Sequence, residues 1–378
     1  MARIVVAGSG FAGVEAVRVL GQRGVCESNE CLWITPRPVF SFQPLIPAIA
    51  SGRYGAEEAV LNVRGFAEKY GVQIISDKVV EVSPNKATLS NGEPIDYDYL
   101  VLATGARPAF YGVPGAEEHS VPLYSPEEAE RINRMVVDGD VGGIAIVGAG
   151  FVGVELAAEL LWLSTEKGLG LSVAVIDMLS EPLQLLGNKA ASEIAKRILG
   201  ELGAVLLMDH RVVRVEPGRV VFEGGDTVEA DLVVWSAGLQ GPGVNAPKEA
   251  LGKGGFFLVD EYLRVPGLGG KVFAVGDAAS IRRGGCLSLK VAREAIRSAR
   301  TAAESIVKLL EGREPKKYEP FITTCFPLTG LVMGPHDGIL VIGKRLALRT
   351  NFAEHYHRLV LRVYRELLLG KSEAAGKT

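Results

Sequence analysis

Gly8-Ser9-Gly10-Phe11-Ala12-Gly13-Val14-Glu15 and Gly148-Ala149-Gly150-Phe151-Val152-Gly153-Val154-Glu155 are one pattern written twice in this chain. Each copy follows an apolar, β-branched run (Arg3 to Ala7; Ile144 to Val147) and opens into helix-forming sequence. Between a strand and a helix the three glycines have separate tasks. The first permits the tight turn, the second lets backbone approach a pyrophosphate, and the third lets the helix pack on the strand. The start of that helix offers free N–H groups and a positive dipole end to an anion. One such string is weak evidence. Two in matching contexts predict two Rossmann-like units and two dinucleotides on one chain.

The flanking sequence extends both units. The first reads strand 3–7, helix to about Leu20 and strand Leu32–Ile34, followed by Thr35-Pro36-Arg37-Pro38. A nucleotide unit usually ends that second strand in an acid that holds the ribose hydroxyls, and none stands here. The second unit reads strand 144–147, helix Val154 to about Leu163 and strand Val173–Ile176, and it ends in Asp177. An acid there accepts from both ribose hydroxyls and repels a 2'-phosphate, which selects NADH over NADPH. The plain alternative is a solvated carboxylate at a strand end. Lys78 to Val80 is a short strand suited to line an adenine. Tyr97 to Gly105 and Ala230 to Gly238 are buried strands closing on small-residue turns. Lys271 to Asp277 is a strand ending Gly276-Asp277, which places a carboxylate to grip a flavin ribityl hydroxyl. The expected fold is therefore α/β, with two Rossmann-like dinucleotide-binding domains, the second inserted in the first, and a C-terminal amphipathic helix. The expected spans are 1–115 with 242–330, 116–241, and 331–378.

Bulk properties narrow the class. The 378 residues are 48% hydrophobic and 22% charged, which is globular composition. A net charge of -3 gives no argument for nucleic acid. Met1-Ala2-Arg3-Ile4 runs straight into the first strand, so no signal peptide is expected. No window holds 18 apolar residues, so no bilayer span is expected. The cysteines are Cys26, Cys31, Cys286 and Cys325. Cys26 and Cys31 sit before the second strand, toward the adenosine end of the first site and away from any flavin ring. They read as a structural disulfide or two free thiols. No metal site is expected.

Tyr97–Gly105 (YDYLVLATG), Val234–Gly238 (VWSAG) and Val272–Asp277 (VFAVGD), with the two glycine turns, resemble the two-dinucleotide-binding-domain flavoproteins. More narrowly, the chain to about residue 345 resembles type II NADH:quinone oxidoreductases and the related sulfide:quinone oxidoreductases. The resemblance implies bound FAD, NADH as donor and a quinone as acceptor. It implies FAD contacts at Gly8, Gly10, Phe11, Ala12, Gly13, Pro36, Arg37, Gln43, Val80, Ala103, Thr104, Gly105, Gly276, Asp277 and Lys290. It implies NADH contacts at Gly148, Gly150, Gly153, Asp177 and Gly238. Glu155 resembles a glutamate near the nicotinamide; its plain role is helix-dipole compensation, which Glu15 would share. Lys290 resembles a lysine that stabilises reduced flavin, an electrostatic role; its plain role is a solvated lysine at a helix start.

Departures from the two relatives are informative. Type II enzymes carry an AQxxxQ-like helix, and here Ala292-Arg293-Glu294-Ala295-Ile296-Arg297 has arginines for both glutamines. The Phe40-Ser41-Phe42-Gln43-Pro44 loop looks more like the sulfide-oxidising version. Those enzymes need a sulfur-carrying cysteine pair. Only Cys325 falls at a matching position, the others lying near Tyr124 and Phe151, so no pair is expected.

In the tail, Phe352, Tyr356, Leu359, Val363 and Leu367 fall on one helical face, and His355, Arg358, Arg362 and Arg365 on the other. Such a helix suits a membrane interface, its own protein, or a partner in a homodimer. The combined expectation is an FAD-dependent, non-proton-pumping NADH:quinone oxidoreductase, peripheral on the cytoplasmic membrane face. Its rivals are a sulfide-handling flavoprotein through Cys325, a soluble reductase of an electron-carrier protein, and a redox-sensing binding protein.

Overall fold

The computed structural model describes residues 1–370. In chain order the elements that position the site are β1 (Arg3–Ala7), α1 (Phe11–Gln22), β2 (Glu30–Ile34), β3 (Gln73–Ile75), β4 (Tyr99–Leu102), β5 (Val121–Pro122) and β6 (Gly143–Val147). They continue with α2 (Phe151–Lys167), β7 (Ser172–Ile176), β8 (Val205–Leu207), β9 (Leu232–Trp235), β10 (Val272–Ala274) and α3 (Ala292–Leu310). A last group is β11 (Leu328–Val332), β12 (Gly338–Ile342), β13 (Leu346–Arg349) and α4 (Phe352–Leu369).

Two parallel sheets share one plan. The first runs β10-β4-β1-β2-β3 and the second β5-β9-β6-β7-β8. In each, the strand before the glycine turn is central and pairs with the second strand on one side and the closing strand on the other. β1 and β6 show the same burial, four buried residues after a half-buried first, because both faces of each sheet are covered; on the second sheet Ala145 and Val147 pack with Val215, Val220 and Phe222. The outermost strand of the first sheet, β10, arrives from beyond the second unit, as the discontinuous reading requires. α2 outlasts its expected end at Leu163 and stops at Lys167, where Gly168 takes a left-handed φ of 64°.

The C-terminal group is an antiparallel meander, β11-β12-β13, with α4 laid on it. A Cβ on Gly330 would come within 2.8 Å of the Ala353 Cβ, so the helix approaches the sheet closely only because a glycine stands there. Residues 371–378, the end of the expected third span, lie outside the described residues.

The two-faced reading of α4 is corrected to three faces. At 100° per residue, Ala353, Glu354, Leu361, Tyr364 and Leu368 form a buried stripe that the sequence reading did not separate out. Phe352, Tyr356, Leu359 and Val363 are 46–60% exposed, and Arg358 and Arg362 are exposed on a third side. The buried stripe grips the body at two places. Tyr364 stacks on Phe40 at 4.7 Å and meets Phe11 edge-on at 5.1 Å. Glu354 accepts from Arg53 (3.1 Å), from the Tyr54 hydroxyl (2.9 Å) and from Arg358 (2.9 Å).

Candidate functional site

The two glycine turns fold alike along the backbone. Gly8 N–H donates to Ile34 O at 2.8 Å, and Gly148 N–H to Ile176 O at 2.7 Å. Gly8 and Gly148 have φ of 105° and 110°, a region open to glycine alone in practice. A methyl group on Gly13 would run into the Gly8 carbonyl, and one on Gly153 into the Gly148 carbonyl. A Cβ on Gly10 or Gly150 would meet nothing within 4 Å. Those two positions face open space at the helix starts, the place a pyrophosphate needs. Both turns thus fit a dinucleotide by construction.

Their surroundings differ. The residue after β2 is Thr35, buried, with its hydroxyl bonded to Ser9 Oγ and Arg37 O, both at 2.8 Å. The residue after β7 is Asp177, which accepts from Ala149 N–H at 2.7 Å and Leu179 N–H at 2.9 Å. Each carboxylate oxygen keeps a lone pair for a ribose hydroxyl. Pro36 and Arg37 are exposed, and Arg37 pairs with Glu127 at 2.5 Å. Gly238, after β9, has φ of 149° and packs against Tyr111. Val80 holds Asn245 through its carbonyl at 2.8 Å.

Beside the first turn, β4 ends in Ala103-Thr104-Gly105 and β10 leads into Gly276-Asp277. The Thr104 hydroxyl is buried without a hydrogen-bond partner, and so is that of Ser41 at the end of the Val39–Ser41 strand. Orphaned buried hydroxyls are costly, and two at the expected flavin face fit a polar ligand there. A Cβ on Gly276 would come within 3.2 Å of the Ala12 and Ala295 methyl groups, so the segment after β10 passes closely between α1 and α3. Gly276, Asp277, Ser288, Leu289 and Lys290 border one narrow cleft.

Lys290 is not a solvated helix-start lysine. Its Nζ donates to Asp277 O at 2.9 Å and to Ala279 O, and it lies 4.7 Å from the Phe256 ring centroid. Burial pulls its ammonium down to about 8, opposed by the Asp277 charge. Burial in turn pushes the Asp277 carboxyl up, opposed by Lys290. Tyr124, noted in the sequence only for lacking sulfur, completes this corner. Its hydroxyl accepts from Ala106 N–H at 3.2 Å, and Gln43 and Asp277 face it.

Glu15 and Glu155 occupy the same register and do different things. Glu15 is clamped between Arg18 and Arg300, each at 2.7 Å, and so ties α1 to α3. That is a stronger commitment than dipole compensation. Glu155 has no cation of its own. It accepts Val332 N–H from β11 at 2.7 Å, and burial, with Glu159 adding, pushes its carboxyl up to about 8.

The expectation that Cys325 lacks a partner is overturned. Cys325 is joined to Cys286, and Cys26 to Cys31, so all four cysteines are paired. Backbone pairing of 286–289 with 322–324 brings the first pair together, a contact that 39 residues of separation hid in the sequence. An even cysteine count was the available signal. The arginines that replace glutamine sit on the exposed side of α3. Arg297 lies 5.9 Å from the Phe321 ring and pairs with Glu294 at 3.5 Å. Sequence reading also missed Arg53 and Glu159, nearly fully buried and paired with each other. Among the described residues no group of three acidic, histidine or cysteine side chains is placed to hold a metal, and no helix is long and apolar enough to cross a membrane.

Comparison with known proteins agrees with this geometry. A family model described as pyridine nucleotide-disulphide oxidoreductase matches residues 2–305. The external alternative NAD(P)H-ubiquinone oxidoreductase B3 of Arabidopsis thaliana mitochondria is 27% identical over 324 residues, covering 74% of this chain and 55% of that protein. The chain spans about half the length of such curated relatives. The sulfide:quinone oxidoreductase from Aquifex aeolicus superposes with a TM-score of 0.83 at 21% identity, over 98% of this chain and 92% of that one. NDH2 from Plasmodium falciparum, solved with NADH, gives a TM-score of 0.81 at 16% identity, over 97% and 94%.

Proposed function

The chain belongs to the pyridine nucleotide-disulphide oxidoreductase family, and on that premise we propose that it carries electrons from NADH through FAD to a quinone at a membrane surface. The observation that carries the reading is the asymmetry of two otherwise equal turns. Both accept a pyrophosphate, but only the second ends its neighbouring strand in a carboxylate, Asp177. The first turn then holds FAD, with Gly8, Gly10 and Gly13 at its pyrophosphate, Thr104 and Ser41 supplying hydroxyls, and Asp277 at the ribityl chain. The second holds NADH, selected over NADPH by Asp177.

A flavin bound there supplies hydride acceptance and two-electron transfer; the chain supplies position and charge. Lys290 already spends two of its three donors on carbonyls, which aims the third. As a cation it stabilises negative charge arriving beside it. Glu155, protonated at neutral pH by the environment described above, can donate a hydrogen bond where an ionised glutamate cannot. The exposed apolar stripe of α4, flanked by Arg358 and Arg362, supports docking on a lipid surface.

Stopped-flow absorbance tests the reading. The FAD-loaded protein is mixed anaerobically with NADH, NADPH or sulfide, then with a short-chain quinone. The expected result is flavin bleaching by NADH at least tenfold faster than by NADPH, and return of colour with quinone. A flavin that NADH leaves oxidised sinks the proposal.

A further inference from the structure

A second cleft, of about 290 Å³, opens beside the last turn of α1 and the middle of α3, bordered by Arg18, Val19, Gln22, Arg23, Arg300 and Glu304. It takes no part in the electron path proposed above. Arg18 donates to Glu15 through Nε and Nη2, and Arg300 through Nε alone, at 2.7–2.8 Å. The terminal nitrogens of Arg300 therefore keep their donors for another acceptor. The Arg300 side chain is 49% exposed, and Arg23 is exposed without an acid partner among the described residues. Glu304 is engaged by Lys316 at 2.6 Å. The four cations Arg18, Arg23, Arg300 and Lys316 against Glu15 and Glu304 leave this place at +2, in a chain whose total is -3. A guanidinium fork with free donors matches the oxygens of a phosphate.

The place of the cleft beside α4 says which phosphate. The Tyr364 ring meets Phe11 of α1, and the charges of Glu15, Arg18 and Arg300 reach its hydroxyl. Tyr364 is thus the edge of α4 that borders these arginines. The exposed apolar stripe Phe352, Tyr356, Leu359 and Val363 lies roughly 100° round the helix from Tyr364 on one side and from Arg362 on the other. Half-buried Val360 and Leu367 carry the apolar surface on toward Tyr364. The stripe therefore has arginines on both flanks, Arg358 and Arg362 from the helix itself and Arg18 and Arg300 from the body. An apolar wedge between two rows of cations fits acyl chains in the middle and phosphates at the edges.

We propose that this cleft is a headgroup site for the phosphate of an anionic phospholipid, with Arg300 and Arg23 as its ligands and Arg18 braced behind them by Glu15. The site gives the docked protein a fixed rotation about α4, because the body as well as the helix then touches the lipid surface. The inference rests on the docking of α4 proposed above, and the experiment separates the two.

The FAD-loaded protein is sedimented with vesicles of phosphatidylcholine, and with the same vesicles made anionic by phosphatidylglycerol. The native chain is compared with the double variant Arg23→Gln, Arg300→Gln. The expected result is a loss of about 25-fold on anionic vesicles, about fivefold for each arginine removed from an anionic surface, and unchanged binding to phosphatidylcholine. Arg219→Gln, on the Val212–Glu229 meander, should bind both vesicles as the native chain does. Retained flavin absorbance reports that a variant is folded; should the double variant lose it, Arg23→Gln alone carries the test with a fivefold loss. A double variant that binds anionic vesicles like the native chain, or an equal loss in Arg219→Gln, overturns the headgroup site and leaves the docking of α4 in place. A native chain that ignores both vesicles overturns the two together. Inorganic phosphate and glycerol 3-phosphate are also titrated calorimetrically without vesicles. Heat from either one that the double variant lacks makes the ligand a free phosphate and overturns the lipid assignment.

Discussion

The two glycine turns were built from one string and now answer different questions. In the first, the Gly8 carbonyl accepts from the Trp33 indole at 2.8 Å; in the second, the Gly148 carbonyl accepts from Ser236 Oγ at 3.1 Å. The backbone requirement is the same, an orphan carbonyl satisfied, and unrelated side chains meet it. What separates the turns is charge placement. Thr35 and a doubly clamped Glu15 make the first turn electrically finished. Asp177 and a Glu155 without a cation leave the second with groups to offer a ligand.

Breaking each turn in isolation gives the largest contrast. Gly13→Ala and Gly153→Ala each force a methyl group into a carbonyl, a strain of about 3 kcal/mol. Gly13→Ala should purify colourless. Gly153→Ala should keep its flavin spectrum, and NADH should no longer bleach it. The opposite pattern would exchange the two roles.

Asp177→Asn comes next. The variant keeps the shape and removes the charge, which should weaken NADH about tenfold or more, since hydrogen bonds to charged groups contribute about 1.5–3 kcal/mol. NADPH should be affected less. Equal loss for both nucleotides in a binding titration would show that Asp177 only braces Ala149 and Leu179.

The paired glutamates sharpen the comparison through pH. Glu155 has its folded pKa raised from 4.5 to about 8, so the folded chain holds a proton that the unfolded chain has lost. The stability this gives is complete below about pH 4.5 and disappears as pH rises through 8. Glu155→Gln should flatten that slope, so its melting temperature relative to the native chain climbs between pH 5 and 8. The gain should be on the order of 1–2 kcal/mol for a partly exposed group. Glu15→Gln should cost stability, because it removes the carboxylate that Arg18 and Arg300 share. Parallel curves for Glu155→Gln and the native chain would defeat the assignment.

The smallest effect should come from Ser236→Ala, which leaves the Gly148 carbonyl short of one donor. About 1 kcal/mol in a denaturant titration is expected, with the flavin spectrum unchanged.

Much of this was legible in the sequence because it is local. The turns, the strands before them and Asp177 follow from spacing and pattern within about 30 residues. The groups that escaped are brought together by the fold. Cys286 meets Cys325 through strand pairing, Glu155 meets Val332 across 177 residues, and Tyr124 reaches the Gln43 and Asp277 corner from the start of the second unit. The buried stripe of α4 was hidden for another reason. Periodicity reveals an apolar face but not which of two apolar faces meets protein, and Glu354 within the stripe looks like a solvated residue until Arg53 is placed.

Arg53 joins distant parts of the chain. A single guanidinium, 6% exposed, holds Glu159 of the second unit and Glu354 of α4, which are themselves 1% and 4% exposed. If α4 peeled away, Arg53 and Glu159 would lose a third partner inside the protein, a state costing about 3–5 kcal/mol when buried charges lose compensation. Local fraying of the C-terminal helix is therefore penalised far from the helix itself. The chain should melt as one cooperative unit, and the amides of α4 should exchange with solvent as slowly as those of α2.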